Sequence, residues 1–125
     1  MKLPFRILVV DDEATTLALI SEQLREAGYE TEAASSGEEA IQKARQSRFE
    51  FVVTDLSMPG MDGMELLAYF MKNHPETYVI MLTGFGTIAT AVEAMKQGAF
   101  DYLAKPAKTD EILLVLKRAE EMMLL

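Results

Sequence analysis

The chain has 125 residues, half of them hydrophobic, which predicts one globular domain and excludes a disordered chain. It has no cysteine, so disulfide bonds and thiolate metal sites are excluded, and its net charge of -8 argues against direct nucleic-acid binding. No apolar run is long enough to cross a membrane and no signal-peptide pattern is present, so we expect a cytoplasmic protein with no membrane partner.

Short apolar runs alternate with amphipathic helical patterns in the first third of the chain. A buried strand is predicted over Phe5–Val10, and the helix that follows it ends at Gly28. A weaker strand over Tyr29–Ala34 precedes a second helix, which begins with a capping box at Ser36–Glu39 and runs to about Ser47. These patterns predict two β-α units.

The same alternation continues to the end of the chain. Strands are predicted over Phe49–Thr54, Tyr78–Leu82 and Phe100–Ala104, and the third helix begins at the pair Asp62–Glu65. The last helix begins at Thr109. The apolar positions of the amphipathic fourth and fifth helices are Ile88, Ala91, Val92, Met95, Ile112, Val115, Leu116 and Ala119.

Five successive β-α units define the fold class. Strands that alternate with helices form a parallel sheet with helices on both faces, and strands buried on both faces are continuously apolar. The first, third and fourth predicted strands have that composition. We therefore predict an α/β protein with a doubly wound (βα)5 sheet.

Polar residues follow four of the five predicted strands. They are Asp11, Asp12 and Glu13 after the first strand, Asp55 after the third, Thr83 and Gly84 after the fourth, and Lys105 and Pro106 after the fifth. In open α/β sheets, ligands bind outside the carboxyl ends of the strands. The sequence therefore predicts one pocket that contains three carboxylates, a lysine and a hydroxyl.

The chemistry of this pocket favours a cation and a phosphoryl group. Two like charges about 4 Å apart cost about 4 kcal/mol at an effective dielectric constant of about 20, so either one or more of the acids stays protonated or a cation fills the site. Ligands that are all oxygen favour a hard ion, and a few carboxylates with water and a phosphate suit Mg²⁺ better than Ca²⁺. Asp55 is then a candidate nucleophile for a phosphoryl group, with Asp11 and Asp12 on the metal and Lys105 and Thr83 on the phosphoryl oxygens.

Each of these residues also has an ordinary structural explanation. Asp12 is a suitable helix cap, Asp55 and Thr83 suit turns, and Lys105 suits the solvated surface. The net acidic charge is also explained by solubility alone. The agreement of four strand ends in type and direction is what favours a functional pocket.

Four segments closely resemble the receiver domains of two-component response regulators: ILVVDDEAT (Ile7–Thr15), VVTDLSMPGMDGMELL (Val52–Leu67), VIMLTGFG (Val79–Gly86) and GAFDYLAKP (Gly98–Pro106). The resemblance implies a flavodoxin-like strand order 2-1-3-4-5. The region around the last two segments is most similar to receivers of enhancer-binding transcription activators. We therefore expect a single receiver domain over residues 1–125, cut from a longer response regulator.

The resemblance also implies roles for individual residues. Asp55 would be phosphorylated by a histidine kinase or a phosphotransfer protein, in a domain that is not a turnover enzyme. Mg²⁺ would be bound by Asp11, Asp12, Asp55 and the backbone carbonyl of Ser57. The phosphoryl group would contact Lys105, Thr83 and the backbone of Leu56, Ser57 and Gly84. Thr83 and Tyr102 would form the switch, and Lys105–Pro106 would be a cis peptide.

The implied output is a changed surface of helix 4, strand 5 and helix 5, which would regulate transcription through an output domain or a homodimer. Two positions stand out locally: Ala107 replaces a frequent Phe, and Phe85 would slow loss of the phosphoryl group. A phosphate-independent binding module is the alternative function. A phosphatase with an Asp nucleophile is disfavoured, because it would need an acid at position 57, which is Ser. A flavin-binding protein is disfavoured because the sequence lacks a phosphate-binding loop after strand 1.

Overall fold

A computed structural model of the chain describes residues 5–84 and 86–125. Strands and helices alternate as predicted, and the five strands form one parallel sheet in the order β2-β1-β3-β4-β5. The elements are β1 (Arg6–Val10), α1 (Ala14–Glu26), β2 (Glu30–Ala34), α2 (Gly37–Gln46), β3 (Phe51–Thr54), α3 (Gly63–Asn73), β4 (Tyr78–Thr83), α4 (Ile88–Lys96), β5 (Asp101–Ala104) and α5 (Thr109–Met123). The predicted fold class and strand order are confirmed.

The central strands separate two hydrophobic cores, because successive side chains of a strand point to opposite faces of the sheet. Leu8, Val52 and Val79 face one side and pack with residues of α2, α3 and α4. Ile7 and Phe51 face the other side and pack with residues of α1 and α5. The continuous apolar character of these strands is thus explained by burial on both faces.

The two predicted helix starts, at Ser36–Glu39 and Asp62–Glu65, are capped differently. The box at the start of α3 is complete: Glu65 N–H donates to the Asp62 side chain, and Asp62 N–H donates to the Glu65 side chain. At the start of α2, Ser36 accepts from Glu39 N–H, but the Glu39 carboxylate accepts from Ser35 N–H at 2.7 Å. The prediction for α2 is therefore only half right, because Glu39 reaches one residue further back.

Helix α4 does not bury the apolar stripe that the sequence gives it. An amphipathic helix ordinarily buries that stripe, but Ile88 is 86% exposed and Val92 and Met95 are nearly half exposed. The fully buried residue of α4 is Ala94. Its small side chain is the contact of α4 with the first core. By contrast, the four apolar positions predicted for the last helix are all buried.

Helix α5 is fastened near its C-terminal end. The Tyr29 hydroxyl, at the entrance to β2, donates a hydrogen bond to the Glu120 carboxylate. Burial, together with the Glu120 hydrogen bond and charge, raises the pKa of Tyr29 well above 10.0.

Within residues 5–84 and 86–125, none of the helices combines the length and apolar character that crossing a membrane requires.

Candidate functional site

The carboxyl ends of β1, β3 and β5 bring two carboxylates and one ammonium group together. Lys105 Nζ donates to Asp11 Oδ2 at 2.6 Å and to Asp55 Oδ2 at 3.2 Å. Asp11 and Asp55 are 3% and 9% exposed, so both ion pairs are largely shielded from water. These three residues are 44 or more positions apart in sequence, and the parallel strand order brings them into one pocket.

Asp12 completes a group of three carboxylates. Asp11, Asp12 and Asp55 each offer an oxygen that lies within 4.8 Å of the others, and Asp12 is the exposed member. Asp11 Oδ1 also accepts a hydrogen bond from Glu13 N–H at 2.9 Å, which fixes the carboxylate at the start of α1. Three acids at this spacing repel, and the single ammonium of Lys105 balances only part of their charge. The donor set, all carboxylate oxygen, suits a hard divalent cation.

The backbone of β4 and β5 positions Lys105. Its N–H donates to the Thr83 carbonyl at 2.9 Å, one step beyond the pairing of Thr83 with Ala104. The Lys105–Pro106 peptide is cis, as the resemblance implies. Gly84 lies beside Lys105, because a Cβ atom added to Gly84 would be 3.7 Å from Lys105 Cβ.

The backbone after β3 contacts the second oxygen of the Asp55 carboxylate. Ser57 N–H points to Asp55 Oδ1 at 3.4 Å, a long contact, while Leu56 is buried and Ser57 is exposed. The Leu56 carbonyl accepts from Gly63 N–H at 2.8 Å, which joins the first residue of α3 to this loop. The role of the Ser57 carbonyl and the contacts of Leu56, Ser57 and Gly84 with a phosphoryl group stay predictions.

Thr83 and Tyr102 lie on neighbouring strands, next to this pocket. Thr83 is buried at the end of β4, and Tyr102 is half-buried on β5. The Tyr102 hydroxyl lies 3.0 Å from the Thr90 hydroxyl oxygen of α4. The sequence analysis did not identify Thr90, because a helical pattern does not show that a threonine of α4 contacts a residue of β5.

The structure describes Ala107 but not Phe85, the two positions that stand out in the sequence. Ala107 is half-buried, packs on the second core and lines a groove of about 460 Å³ together with Leu19 and Pro106. The small side chain therefore leaves room beside Lys105 that a larger residue would fill. Phe85 lies outside the described residues, so its proposed effect on the phosphoryl group stays a prediction.

The charges around Lys105 predict a loss of stability at alkaline pH. Burial alone would lower the pKa of Lys105, but the hydrogen bonds and charges of Asp11 and Asp55 together outweigh it and raise that pKa above 10.5. A raised pKa gives stability that is fully present below the unfolded value and is lost as pH rises through the folded value. We expect the free energy of unfolding to fall as pH rises above 10.5.

Urea unfolding of the wild type and Lys105→Met between about pH 9 and 11.5 measures this effect. The variant should lose less stability over that range. Tyr29 titrates in the same direction, so both proteins should be compared in a Tyr29→Phe background. Equal slopes in the two proteins would contradict the assignment to Lys105.

The sequence of this chain matches a known family of domains. The sequence profile of the response regulator receiver domain matches residues 7–117. The chain belongs to the response regulator receiver domain family. As a receiver domain, it is 39% identical over 113 residues to the transcriptional regulatory protein ZraR of Klebsiella oxytoca, covering 90% of this chain and 26% of that protein. It is 38% identical to the regulatory protein AtoC of Escherichia coli, covering 91% and 25%.

Solved receiver domains have the same fold. A receiver domain protein from Clostridium thermocellum superposes with a TM-score of 0.88 at 36% identity, covering 97% of this chain and 99% of that one. The beryllofluoride-activated NtrC4 receiver domain dimer gives a TM-score of 0.89 at 38% identity, covering 94% and 98%. The predicted similarity to receivers of transcription regulators is confirmed. This receiver domain spans about a quarter of the length of the curated relatives named above.

Proposed function

We propose that this receiver domain accepts a phosphoryl group on Asp55 in a Mg²⁺-dependent reaction and acts as a signalling switch. The observation that carries the proposal is the Asp55 carboxylate, which is bonded to the Lys105 ammonium and adjoins two more acids, Asp11 and Asp12. Phosphoryl transfer needs a nucleophile, positive charge around the equatorial oxygens and a fixed geometry. All three requirements have a candidate residue within one pocket.

The acids and the lysine would have separate tasks. Asp11, Asp12, Asp55 and the backbone carbonyl of Ser57 would hold Mg²⁺, and their oxygen donors fit that ion. When bound, Mg²⁺ neutralises charge on the phosphoryl oxygens. Lys105 would exchange one of its two carboxylate partners for a phosphoryl oxygen and so keep a charge-assisted bond throughout.

The transfer itself is a displacement at phosphorus. An Asp55 oxygen forms a P–O bond while the phosphorus–nitrogen bond of a donor phosphohistidine breaks, and the leaving imidazole takes a proton from solvent. The backbone N–H groups of Leu56, Ser57 and Gly84 and the Thr83 hydroxyl would bind the phosphoryl oxygens. The domain would catalyse the phosphorylation of its own Asp55 and the hydrolysis of the resulting aspartyl phosphate, without turnover of an external substrate.

The partners follow from the same chemistry. The donor would be a histidine kinase or a phosphotransfer protein in the cytoplasm. The chain would be the receiver part of a longer response regulator, since it spans about a quarter of its relatives, and its output domain would act on transcription, as the name of the transcriptional regulatory protein ZraR suggests. A homodimer through α4, β5 and α5 is supported by the exposed apolar residues Ile88, Val92 and Leu114 on these helices.

The test is the intact mass of the protein after incubation with acetyl phosphate, with and without Mg²⁺. We expect a single phosphoryl adduct that requires Mg²⁺ and that maps to Asp55. A chelator should prevent the adduct. A folded protein that gains no adduct under any condition would favour a phosphate-independent, receiver-like binding module instead.

Metal binding can be tested without any phosphodonor. We expect Mg²⁺ to raise the thermal unfolding midpoint in a concentration-dependent way, because an ion that binds only the folded state stabilises it by mass action. Asp12→Asn should remove most of that shift and leave both Lys105 ion pairs intact, since these involve Asp11 and Asp55.

Glu13→Gln is the matched control for this measurement. Glu13 is the next residue in the chain, and its carboxylate bonds to Thr16 rather than belonging to the group of three acids. The control should keep the full Mg²⁺ shift. A full shift in Asp12→Asn as well would contradict the proposed ligand set.

A further inference from the structure

The hydroxyl of Tyr102 lies in a seat formed by Thr83, Gly86 and Thr90. It is 3.0 Å from Thr90 Oγ1. A Cβ atom built on Gly86 would lie 1.7 Å from the Tyr102 hydroxyl oxygen and 2.9 Å from the Thr83 methyl carbon. The phenol therefore occupies space that exists because residue 86 is glycine, and that space adjoins the Thr83 side chain.

The Tyr102–Thr90 contact belongs to a hydrogen-bond network at the start of α4. Thr90 Oγ1 accepts from Thr87 N–H at 2.8 Å, and it is oriented to donate to the Thr87 carbonyl at 2.9 Å. A hydroxyl carries one proton and two lone pairs. The Thr87 hydroxyl also lies 3.3 Å from Thr90 Oγ1, so three hydroxyl groups share this network and either Thr90 or Tyr102 can donate in the Tyr102 contact. One oxygen atom thereby joins the N-terminal cap of α4 to the aromatic ring of β5.

We infer that Thr90 is a positioning residue that holds Tyr102 in this seat and thereby couples α4 to the phosphoryl site. The inference rests on the proposed phosphorylation of Asp55. Thr83 links the two places: its methyl group adjoins the seat, and its carbonyl accepts from Lys105 N–H at 2.9 Å. Lys105 in turn bonds to Asp55. When Thr83 turns toward a phosphoryl group, the seated phenol supports it from behind.

The first test needs no ligand. In the wild type we expect a nuclear Overhauser contact between the Tyr102 ring and the Gly86 α-protons. Thr90→Val removes the hydroxyl at nearly constant size and should weaken this contact about twofold or more, since a net hydrogen bond of this kind shifts an equilibrium severalfold. Thr90→Ser keeps the hydroxyl and should keep the contact.

Gly86→Ala is the complementary variant, because its added methyl group would close the seat by steric overlap. Gly86 does not have a positive φ, and the atom that must move most, the Tyr102 hydroxyl oxygen, is the end of a side chain, so we expect the ring to move and the fold to persist. The contact should be lost in this variant. An unchanged contact in Thr90→Val would overturn the role given to Thr90.

The second test measures coupling to the phosphoryl site. Beryllofluoride with Mg²⁺ serves as the phosphoryl mimic, and its dissociation constant is measured by calorimetry for Thr90→Val, Tyr102→Phe and the double variant. Each single variant should bind about fivefold more weakly, and the double variant no more weakly than either one. Thr90→Val also removes the capping hydrogen bond from Thr87 N–H. That loss is the same with Tyr or Phe at position 102, so it cancels from the coupling energy of the cycle.

The two tests separate the inference from the proposed function. Single effects that multiply in the double variant, or unchanged binding in Thr90→Val, would overturn the coupling. A wild type that does not bind beryllofluoride would contradict the proposed function and, with it, the coupling. The ligand-free ring contact would still decide whether Thr90 positions Tyr102.

Discussion

Asp55→Asn should accept no phosphoryl group from acetyl phosphate at any Mg²⁺ concentration. An amide oxygen carries no full negative charge and is a much weaker nucleophile than the carboxylate it replaces. The substitution keeps the size of the side chain, and its carbonyl oxygen can still accept from Lys105, so we expect the variant to fold. Intact mass together with an unfolding midpoint measures both points.

Asp110→Asn is a suitable control for this experiment. Asp110 is an exposed acid in the first turn of α5, and it is not among the three clustered carboxylates. This control should gain the adduct at the wild-type rate. A phosphoryl adduct on folded Asp55→Asn would show that another carboxylate, Asp12 for example, is the acceptor.

Gly63→Ala should have the second largest effect, because Gly63 packs against the backbone of Asp55, the proposed phosphoacceptor. An added Cβ would lie 2.3 Å from the Asp55 carbonyl oxygen and 2.8 Å from Leu56 Cα. Neither backbone atom can move without displacing Asp55 itself. We expect a loss of about 1–3 kcal/mol in the free energy of unfolding, as for overpacked cores. Phosphorylation by acetyl phosphate should slow by about tenfold or more, because reacting atoms tolerate little misplacement.

Gly37→Ala provides the matched comparison. Gly37 is also the first residue of a helix and is also buried, but the atoms that its added Cβ would meet belong to the flexible side chain of Met61, at 2.8–3.0 Å. That side chain can adjust, and alanine favours a helix over glycine. We therefore expect a small change in stability and normal phosphorylation. Equal losses in the two variants would contradict the proposed role of the Asp55 backbone contact.

The alternation of strands and helices and the site pocket could be anticipated because both depend on local signals, whereas the strand order was implied by the family resemblance. Apolar runs mark buried strands, and the polar residues that follow them identify one edge of the sheet. Asp11, Asp55 and Lys105 were therefore grouped from sequence, although their contacts depend on strands far apart in the chain. The strand limits differ by one or two residues, as for β3, which begins at Phe51 rather than Phe49.

The predictions that were wrong or incomplete concern features that depend on tertiary contacts. Periodicity shows which residues of α4 share a stripe, but not which stripe docks, and the small Ala94 proved to be the buried contact. Likewise, Glu39 could satisfy either of two neighbouring N–H groups, and the backbone before α2 favours Ser35. Thr90 carries no sequence signal at all, since its role depends on Tyr102 from β5.

The exposure of α4 bears on how easily that helix can be repositioned. Moving a helix whose apolar side chains are buried exposes them to water, which costs about 25 cal/mol for each Å². In α4 the large side chains Ile88, Val92 and Met95 are already in contact with solvent, and Ala94 alone is fully buried. A shift or partial unwinding of α4 would therefore expose little new apolar surface. The solvation penalty that keeps α3 fixed through Leu66, Leu67 and Phe70 is smaller here, so local polar contacts have more influence on where α4 lies.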